Sequence, residues 1–219
     1  SLYYFLFPNL CSEPASYSFL TLFIFCIIQI GCLEELSKFI MFKWVSYERP
    51  SEKNDLPIAI IFYSMMTSVG FAITENISYL INWKYKLLSA PYMNEQILTS
   101  ALSSMTVSRS LYAVVAHMVC GIIMGYFLAK AHLLKIQFAN LNSKLITIKK
   151  IFYIICGIGC ASLYHGIYDL NLHLPDNQWV FYFHALNIIF GLVLSKFMVK
   201  EMICQSEQLV NKSREKNIN

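Results

Sequence analysis

Charged residues are scarce in this chain. Asp, Glu, Lys and Arg make up 14% of its 219 residues, whereas soluble domains average about 25%. Hydrophobic residues make up 57%, which is a larger share than soluble domains have. The composition therefore excludes an ordinary soluble globular domain and favours a protein embedded in a lipid bilayer.

Two further classes of protein are excluded by what the sequence has too little of. Seventeen Lys and Arg against thirteen Asp and Glu give a formal net charge of +4, which is too small and too dispersed for a surface that binds nucleic acid. The seven cysteines are an odd number, and six of them lie in or beside apolar runs. They are therefore expected to be small buried hydrophobic side chains and not a disulfide framework.

Five apolar runs are long enough to cross a membrane, since about 20 helical residues span a hydrocarbon core about 30 Å thick. The runs are Tyr17–Val45, Pro57–Trp83, Ser108–Leu134, Lys149–Asn171 and Gln178–Lys200. The predicted fold is all-α, a polytopic transmembrane bundle of about five helices. Residues 1–201 form the predicted membrane domain and residues 202–219 a polar cytoplasmic tail. The stretch from Leu2 to Leu10 is either the end of a further helix or an interfacial hairpin.

The positive charges next to the spans predict an orientation. Thirteen of the seventeen Lys and Arg lie on one side of the predicted topology, in the loop after the first run, around the loop after the third, and in the C-terminal tail. Lys84 and Lys86 lie on the opposite side. Because Lys and Arg accumulate on the cytoplasmic side, we predict an integral membrane protein with the N-terminal end outside and the C-terminal end inside.

Several ionisable side chains lie within the apolar runs. Four are acidic, namely Glu34, Glu35, Glu75 and Asp169. An unpaired acidic residue at a helix centre costs about 2.5–3.5 kcal/mol, so these side chains must be neutral, paired, metal-bound or facing a water-filled cavity. Basic or titratable partners lie within the same runs, namely Lys38, Arg109, His117 and His165. Ionisable residues inside a membrane are by default a hypothesis of function.

Helical spacing places some of these side chains on shared faces. Residues three or four apart lie on one side of a helix, so Lys38 is within reach of both Glu34 and Glu35. His165 is within reach of Asp169 for the same reason. We therefore expect the ionisable groups of four spans to face one common cavity.

Such a set can hydrolyse a bond in two ways. Catalytic zinc takes three protein ligands and keeps one position for water, and Glu75, His117 and His165 are the expected ligands. Glu34 or Glu35 would then act as the general base. Without a metal, a buried glutamate takes the proton of water while histidines stabilise the oxyanion. The chain contains no H-E-x-x-H motif, so a divalent metal such as Zn²⁺ and a metal-free glutamate mechanism are equally compatible with the sequence.

These residues resemble the motifs of the PrsW intramembrane proteases, which are related more distantly to CAAX-prenyl proteases and bacteriocin-processing membrane proteases. E-E-x-x-K matches residues 34–38, and F-x-x-x-E-N matches residues 71–76. An arginine two turns before a histidine matches residues 109 and 117, and H-x-x-x-D/N matches residues 165–169. The four motifs occur in family order on four successive spans.

The resemblance implies an endopeptidase that cleaves a membrane-anchored protein in or near the membrane. Family members have been linked to the cleavage of anti-sigma factors. By the same resemblance Glu34, in preference to Glu35, would activate water. His117 and His165 would bind the oxyanion or a metal, and Asp169 would orient His165. Supporting roles would fall to three polar residues of the same spans, namely Lys38, Asn76 and Arg109.

Two functions of other classes stay open at this point. A proton-coupled transporter or channel also uses Asp, Glu and His within the membrane, although the spans show neither an internal two-fold similarity nor a helix interrupted by proline near its centre. A non-catalytic membrane scaffold would use the same charges only as ion pairs that hold helices together.

Overall fold

The computed structural model describes residues 18–47, 56–89, 94–138, 144–174 and 178–218, and these residues form helices without any strand. The elements are α1 (Phe19–Ile24), a first π-helical segment (Phe25–Cys32), α2 (Leu33–Tyr47), α3 (Pro57–Leu88), α4 (Glu95–Ser108), a second π-helical segment (Arg109–Ala113), α5 (Val114–Gln137), α6 (Lys144–His173) and α7 (Gln178–Ile218). The predicted all-α class is confirmed. The stretch from Leu2 to Leu10 lies outside the described residues.

Five stretches of these helices have the length and hydropathy to cross a bilayer. They are Phe19–Val45, Pro57–Leu88, Glu95–Gln137, Lys144–His173 and Trp179–Lys212. Large apolar side chains on their outer faces are exposed, as in Phe181 and Phe190, which are 64% and 60% exposed. In water such a surface would aggregate, and in a bilayer it faces lipid. The chain is therefore an integral membrane protein, as the composition predicted.

The third span starts earlier than its apolar run. We predicted a loop before Ser108, whereas α4 is a helix that begins at Glu95. The Asn94 side chain caps it by accepting a hydrogen bond of 2.9 Å from the N–H of Ile97, as N-cap asparagines do. None of the α4 residues is buried. Hydropathy does not detect this helix because its composition is polar.

The central helix of the bundle is α5. It packs against α3, α6 and α7, and buried residues lie on every side of it. They include Ala116, Val119, Cys120, Ile122, Ile123, Met124, Leu128 and Leu133. A helix that is apolar all round belongs in the interior, so α5 supplies the core against which the site-bearing helices pack.

Two glycines of α5 bring its backbone against α3. A Cβ atom at Gly121 would lie 2.8 Å from Met65 Cα and 2.9 Å from the Ser64 carbonyl oxygen. At Gly125 it would lie 2.8 Å from Ile61 Cα. Small residues allow such close approach of membrane helices, so this glycine pair forms a close contact between α5 and α3.

We expect Gly121→Ala to lower the stability of the bundle by about 1–3 kcal/mol, because the added methyl group meets backbone atoms that cannot rotate away. Thermal unfolding of the purified protein in detergent measures this effect. Gly159→Ala is the matched control, since a Cβ there has nothing within 4 Å. Equal unfolding midpoints for the two variants would contradict the prediction.

The last helix contacts two others at its C-terminal half. Glu201 accepts hydrogen bonds from the Tyr126 hydroxyl, at 2.7 Å, and from the Lys130 ammonium group. Ser206 Oγ accepts a hydrogen bond of 3.2 Å from the N–H of Ile58, in the first turn of α3. The predicted border between membrane domain and tail, at residues 201 and 202, therefore falls within one continuous packed helix.

Candidate active site

Ionisable side chains from four helices meet inside the bundle. The helices are α2, α3, α5 and α6, and the side chains that meet are Glu34, Glu35, Lys38, Glu75, His117, His165 and Asp169. Those of Glu35 and His117 are only 0% and 3% exposed. The structure thus places every one of the expected acidic and histidine residues at one buried location and none of them on a lipid-facing surface.

Both π-helical segments adjoin this location. The first ends at Cys32, just before the two glutamates of α2, and the second begins at Arg109. A Cβ atom at Gly166 would lie 2.6 Å from Ile27 Cα, so the first segment lies directly on α6 next to His165. Because π-helical turns are rare and often occur at functional sites, their position supports the choice of this location as the functional site.

Lys38 links α2 to α5 through hydrogen bonds. Its ammonium group donates to Glu35 Oε1 at 2.5 Å and to His117 Nδ1 at 2.7 Å. An ammonium group is only a donor, so His117 Nδ1 is the acceptor and the ring proton is on Nε2. That nitrogen lies 2.8 Å from Glu75 Oε2, which accepts no hydrogen bond from the described residues, so the two groups are in close electrostatic contact.

His165 is held by a carboxylate on one side and faces two on the other. Its Nδ1 lies 2.9 Å from Glu35 Oε1, and because a carboxylate only accepts, Nδ1 carries the proton. Its Nε2 lies 3.6 Å from both Glu34 Oε2 and Asp169 Oδ2. A carboxylate behind a histidine orients the imidazole in many metal sites, so Nε2 of His165 is already directed towards a ligand position.

Arg109 positions the carboxylate of α3. Its Nε donates to Asn76 Oδ1 at 2.8 Å, and its Nη2 lies 3.5 Å from Glu75 Oε1. The guanidinium group also lies 3.7 Å from the centre of the Tyr79 ring, a cation–π contact. Of the three expected supporting residues, Asn76 and Arg109 therefore act on Glu75, while Lys38 contacts Glu35 and His117.

Glu34 differs from the other carboxylates. Its side chain is buried, and neither of its oxygens has a hydrogen-bond partner among the described residues. Buried polar atoms are almost always hydrogen-bonded, and a buried carboxylate without a partner is costly. A proton, a water molecule or a cation must therefore compensate Glu34.

The fixed charges of the site do not balance. Four carboxyl groups face two permanent cations, those of Lys38 and Arg109. With both imidazoles neutral and every carboxyl group ionised, two negative charges remain. Because uncompensated buried charge is expensive, protons or a divalent cation must offset them.

One group of three side chains combines the chemistry and the spacing of a metal site. The ligand atoms of Glu34, His117 and His165 lie within 4.8 Å of one another. One carboxylate and two imidazoles are a ligand set that catalytic zinc uses. The unbonded oxygens of Glu34 and the oriented ring of His165 suit that role. His117 would join them through Nε2, whose proton would leave when the metal binds, so these residues fit a divalent metal.

The ligand set that we expected from the sequence contains Glu75 in place of Glu34. Glu75 lies 2.8 Å from His117 Nε2 and 3.5 Å from Arg109 Nη2, and it belongs to neither group of three potential ligands within 4.8 Å. A second group within 4.8 Å contains Glu35, His165 and Cys120, but Glu35 already accepts hydrogen bonds from Lys38 and His165. The set of metal ligands therefore stays a prediction. The distances favour Glu34 in place of Glu75 as the carboxylate of that set.

One residue of the site, Cys120, was not singled out as a site residue by the sequence. Cys120 lies one turn after His117 and is buried beside Glu35 and His165. The spacing of three residues between His117 and Cys120 is the feature of the sequence that could have identified Cys120 as a site residue. The Phe71 ring lies 4.8 Å from Lys38 Nζ and thus covers the ammonium group on its apolar side.

Comparison with known proteins agrees with these motifs. The chain matches the PrsW family of intramembrane metalloproteases over residues 5–195. Protease PrsW of Oceanobacillus iheyensis is 30% identical over 187 residues, which are 84% of this chain and 66% of that relative. The chain thus spans just under two thirds of the relative's length, and no solved structure matches it. Because the matched region includes all four helices that carry the site, the chain belongs to the PrsW family of intramembrane metalloproteases.

Proposed function

We propose that this protein is an endopeptidase that hydrolyses a peptide bond of a membrane-anchored protein, in or near the bilayer. One observation carries the proposal: the buried Glu34 carboxylate, unbonded among the described residues, lies 3.6 Å from the oriented Nε2 of His165. Peptide hydrolysis needs a water molecule between a base and groups that stabilise the developing oxyanion. Carboxylates and imidazoles enclosed by apolar helices provide both.

We assign Glu34, His117 and His165 as the residues that would hold a divalent metal such as Zn²⁺. The ligand types, their proximity and the two excess negative charges of the site support this assignment. When bound, such an ion polarises the peptide carbonyl and makes water a stronger acid. Two histidines and one carboxylate are a sufficient protein set, because catalytic zinc keeps one position for water.

The remaining carboxylates divide the other tasks. Glu75 Oε2, next to His117 and anchored through Arg109 at its second oxygen, takes the proton of the attacking water and passes it to the leaving amine. Glu35 holds His165 in one tautomer through Nδ1. Asp169 lies 3.6 Å from Nε2 of the same ring and keeps it directed into the site.

A metal-free mechanism is the second candidate, and the unbonded state of Glu34 favours it. Glu34 would then take the proton of water, as the resemblance implied, while His117 through Nε2–H and His165 in its doubly protonated form would donate hydrogen bonds to the oxyanion. Glu34 is favoured over Glu35 as the base because Lys38 and His165 already donate to Oε1 of Glu35, which leaves only its Oε2 unbonded among the described residues.

We expect the purified chain, reconstituted in vesicles with a single-span substrate protein, to cleave that substrate. A chelator should reduce the rate at least about 100-fold, and added Zn²⁺ should restore it, because a metal supplies several kcal/mol of transition-state stabilisation. Gel analysis of the products measures both effects. Cleavage that resists the chelator would select the metal-free mechanism. Proton or ion flux without cleavage would select a transporter, and neither activity would select a scaffold.

We also propose that the protein lies in a bacterial cytoplasmic membrane, N-terminal end outside, and cleaves a membrane-bound substrate of the anti-sigma-factor type. The positive charges at the ends of the helices support the orientation, because α5 and α6 carry Lys135 and Lys150 at the same end of the bundle as Lys43 of α2.

A further inference from the structure

A basic cavity lies between four helices at one end of the bundle. Its volume is about 160 Å³, and its walls come from α2, α3, α5 and α6. Three lysines line it, Lys43, Lys135 and Lys150, together with Tyr63 and His132. None of the described residues that line it is acidic. The cavity therefore brings together positively charged side chains from three different helices.

The three lysines lie at the level expected for lipid headgroups. Lys43 lies four residues before the end of α2, Lys135 lies two residues before the end of α5, and Lys150 lies six residues after the start of α6. At about 1.5 Å per residue, the lysines are about 3–9 Å inside the helix ends. The polar headgroup region adds about 5–8 Å to each side of the hydrocarbon core, so the cavity opens where headgroups lie.

The lining suits a phosphate group. An ammonium group is only a donor, so three of them around one space repel one another until an anion lies between them. A single water needs a cavity of about 10–15 Å³ on this scale, so the cavity admits a group of several atoms. The other side chains of the wall are mainly apolar, as in Phe42, and suit the carbons next to a phosphodiester.

The cavity is separate from the candidate active site. His117 and Lys135 lie eighteen residues apart on α5, which is about 27 Å along the helix. Neither the metal ligands nor the expected base lines the cavity. Its charges therefore serve another purpose than peptide hydrolysis.

We propose that this cavity binds the phosphate headgroup of an anionic phospholipid from the surrounding leaflet. Basic pockets between membrane helices recognise such headgroups through charge and hydrogen bonds. The lipid is favoured over free phosphate because the cavity opens at headgroup depth between helices with apolar outer faces. A bound lipid would join α2, α5 and α6 through one shared anion.

Native mass spectrometry of the purified chain with phosphatidylglycerol or phosphatidylcholine tests the site. The wild-type chain should retain phosphatidylglycerol in preference to phosphatidylcholine. The triple variant Lys43→Gln, Lys135→Gln, Lys150→Gln should bind phosphatidylglycerol roughly 100-fold more weakly, because each lysine near an anionic headgroup contributes about 1 kcal/mol. Replacing the same three residues by arginine keeps the charges and should keep binding.

The matched control removes three other lysines of the same end of the bundle. Lys144→Gln, Lys149→Gln, Lys200→Gln loses the same net charge outside the cavity and should retain the lipid. Equal loss in both triple variants, or unchanged retention in the cavity variant, would overturn the proposal. Displacement of the lipid by an equal concentration of inorganic phosphate would overturn it as well, since the ligand would then be free phosphate.

Discussion

Glu34→Gln is expected to lower the cleavage rate on the order of 10³-fold, a loss typical of removing a group that acts on the reacting water. The fold should survive, because the change is nearly isosteric and the Glu34 oxygens have no hydrogen bond to lose among the described residues. In the metal-free protein the unfolding midpoint should stay equal or rise, since a costly buried carboxylate is removed. Cleavage assays and thermal unfolding in detergent measure the two effects separately.

The zinc content of the same variant shows whether Glu34 is a metal ligand, or whether Glu34 is the base and Glu75 the ligand. If Glu34 is a ligand, Glu34→Gln should lose bound zinc together with cleavage, as measured by elemental analysis of the purified protein. A variant that loses cleavage but keeps one zinc per chain would make Glu34 the base and return the ligand role to Glu75. Glu207→Gln, at an exposed position of α7, is the control and should change neither quantity.

The sequence predicted the spans and the site residues because a bilayer makes both conspicuous. A run of apolar residues must become a helix in lipid, and an ionisable side chain within such a run must find a partner. Gly121 and Gly125 were predictable as contacts for a related reason, since small residues allow helices to approach closely. These inferences need only composition and spacing along one helix.

Features that depend on the relation between helices were not predictable. Whether Glu34 or Glu75 completes a three-ligand group with the histidines depends on a few ångströms of side-chain position across α2, α3 and α5. The π-helical segments could not be predicted either, because nothing in their local sequence, such as a proline, marks a departure from an ordinary α-helix. The polar helix α4 lacks the hydropathy signal by which the spans were found.

Lys38→Met is expected to destabilise the bundle by about 3–5 kcal/mol, because removing one partner of a buried ion pair leaves the other charge uncompensated. Glu35 is 0% exposed and would lose its only cation among the described hydrogen bonds. His117 Nδ1 would also lose its donor. Methionine keeps the length and the apolar stem of lysine, so the expected loss comes from the charge. Denaturant or thermal unfolding in detergent measures it.

Two comparisons connect this result with the Glu35–Lys38 pair. Lys130→Met removes an ammonium group whose partner, Glu201, is 43% exposed, and at such a site the expected cost is at most about 1 kcal/mol. The double variant Lys38→Met, Glu35→Gln removes both buried charges and should recover a large part of the stability, as coupled neighbours do in a double-mutant cycle. It should not recover cleavage, because Glu35 also orients His165. Equal losses for the Lys38 and Lys130 variants would contradict a buried ion pair at the centre of the site.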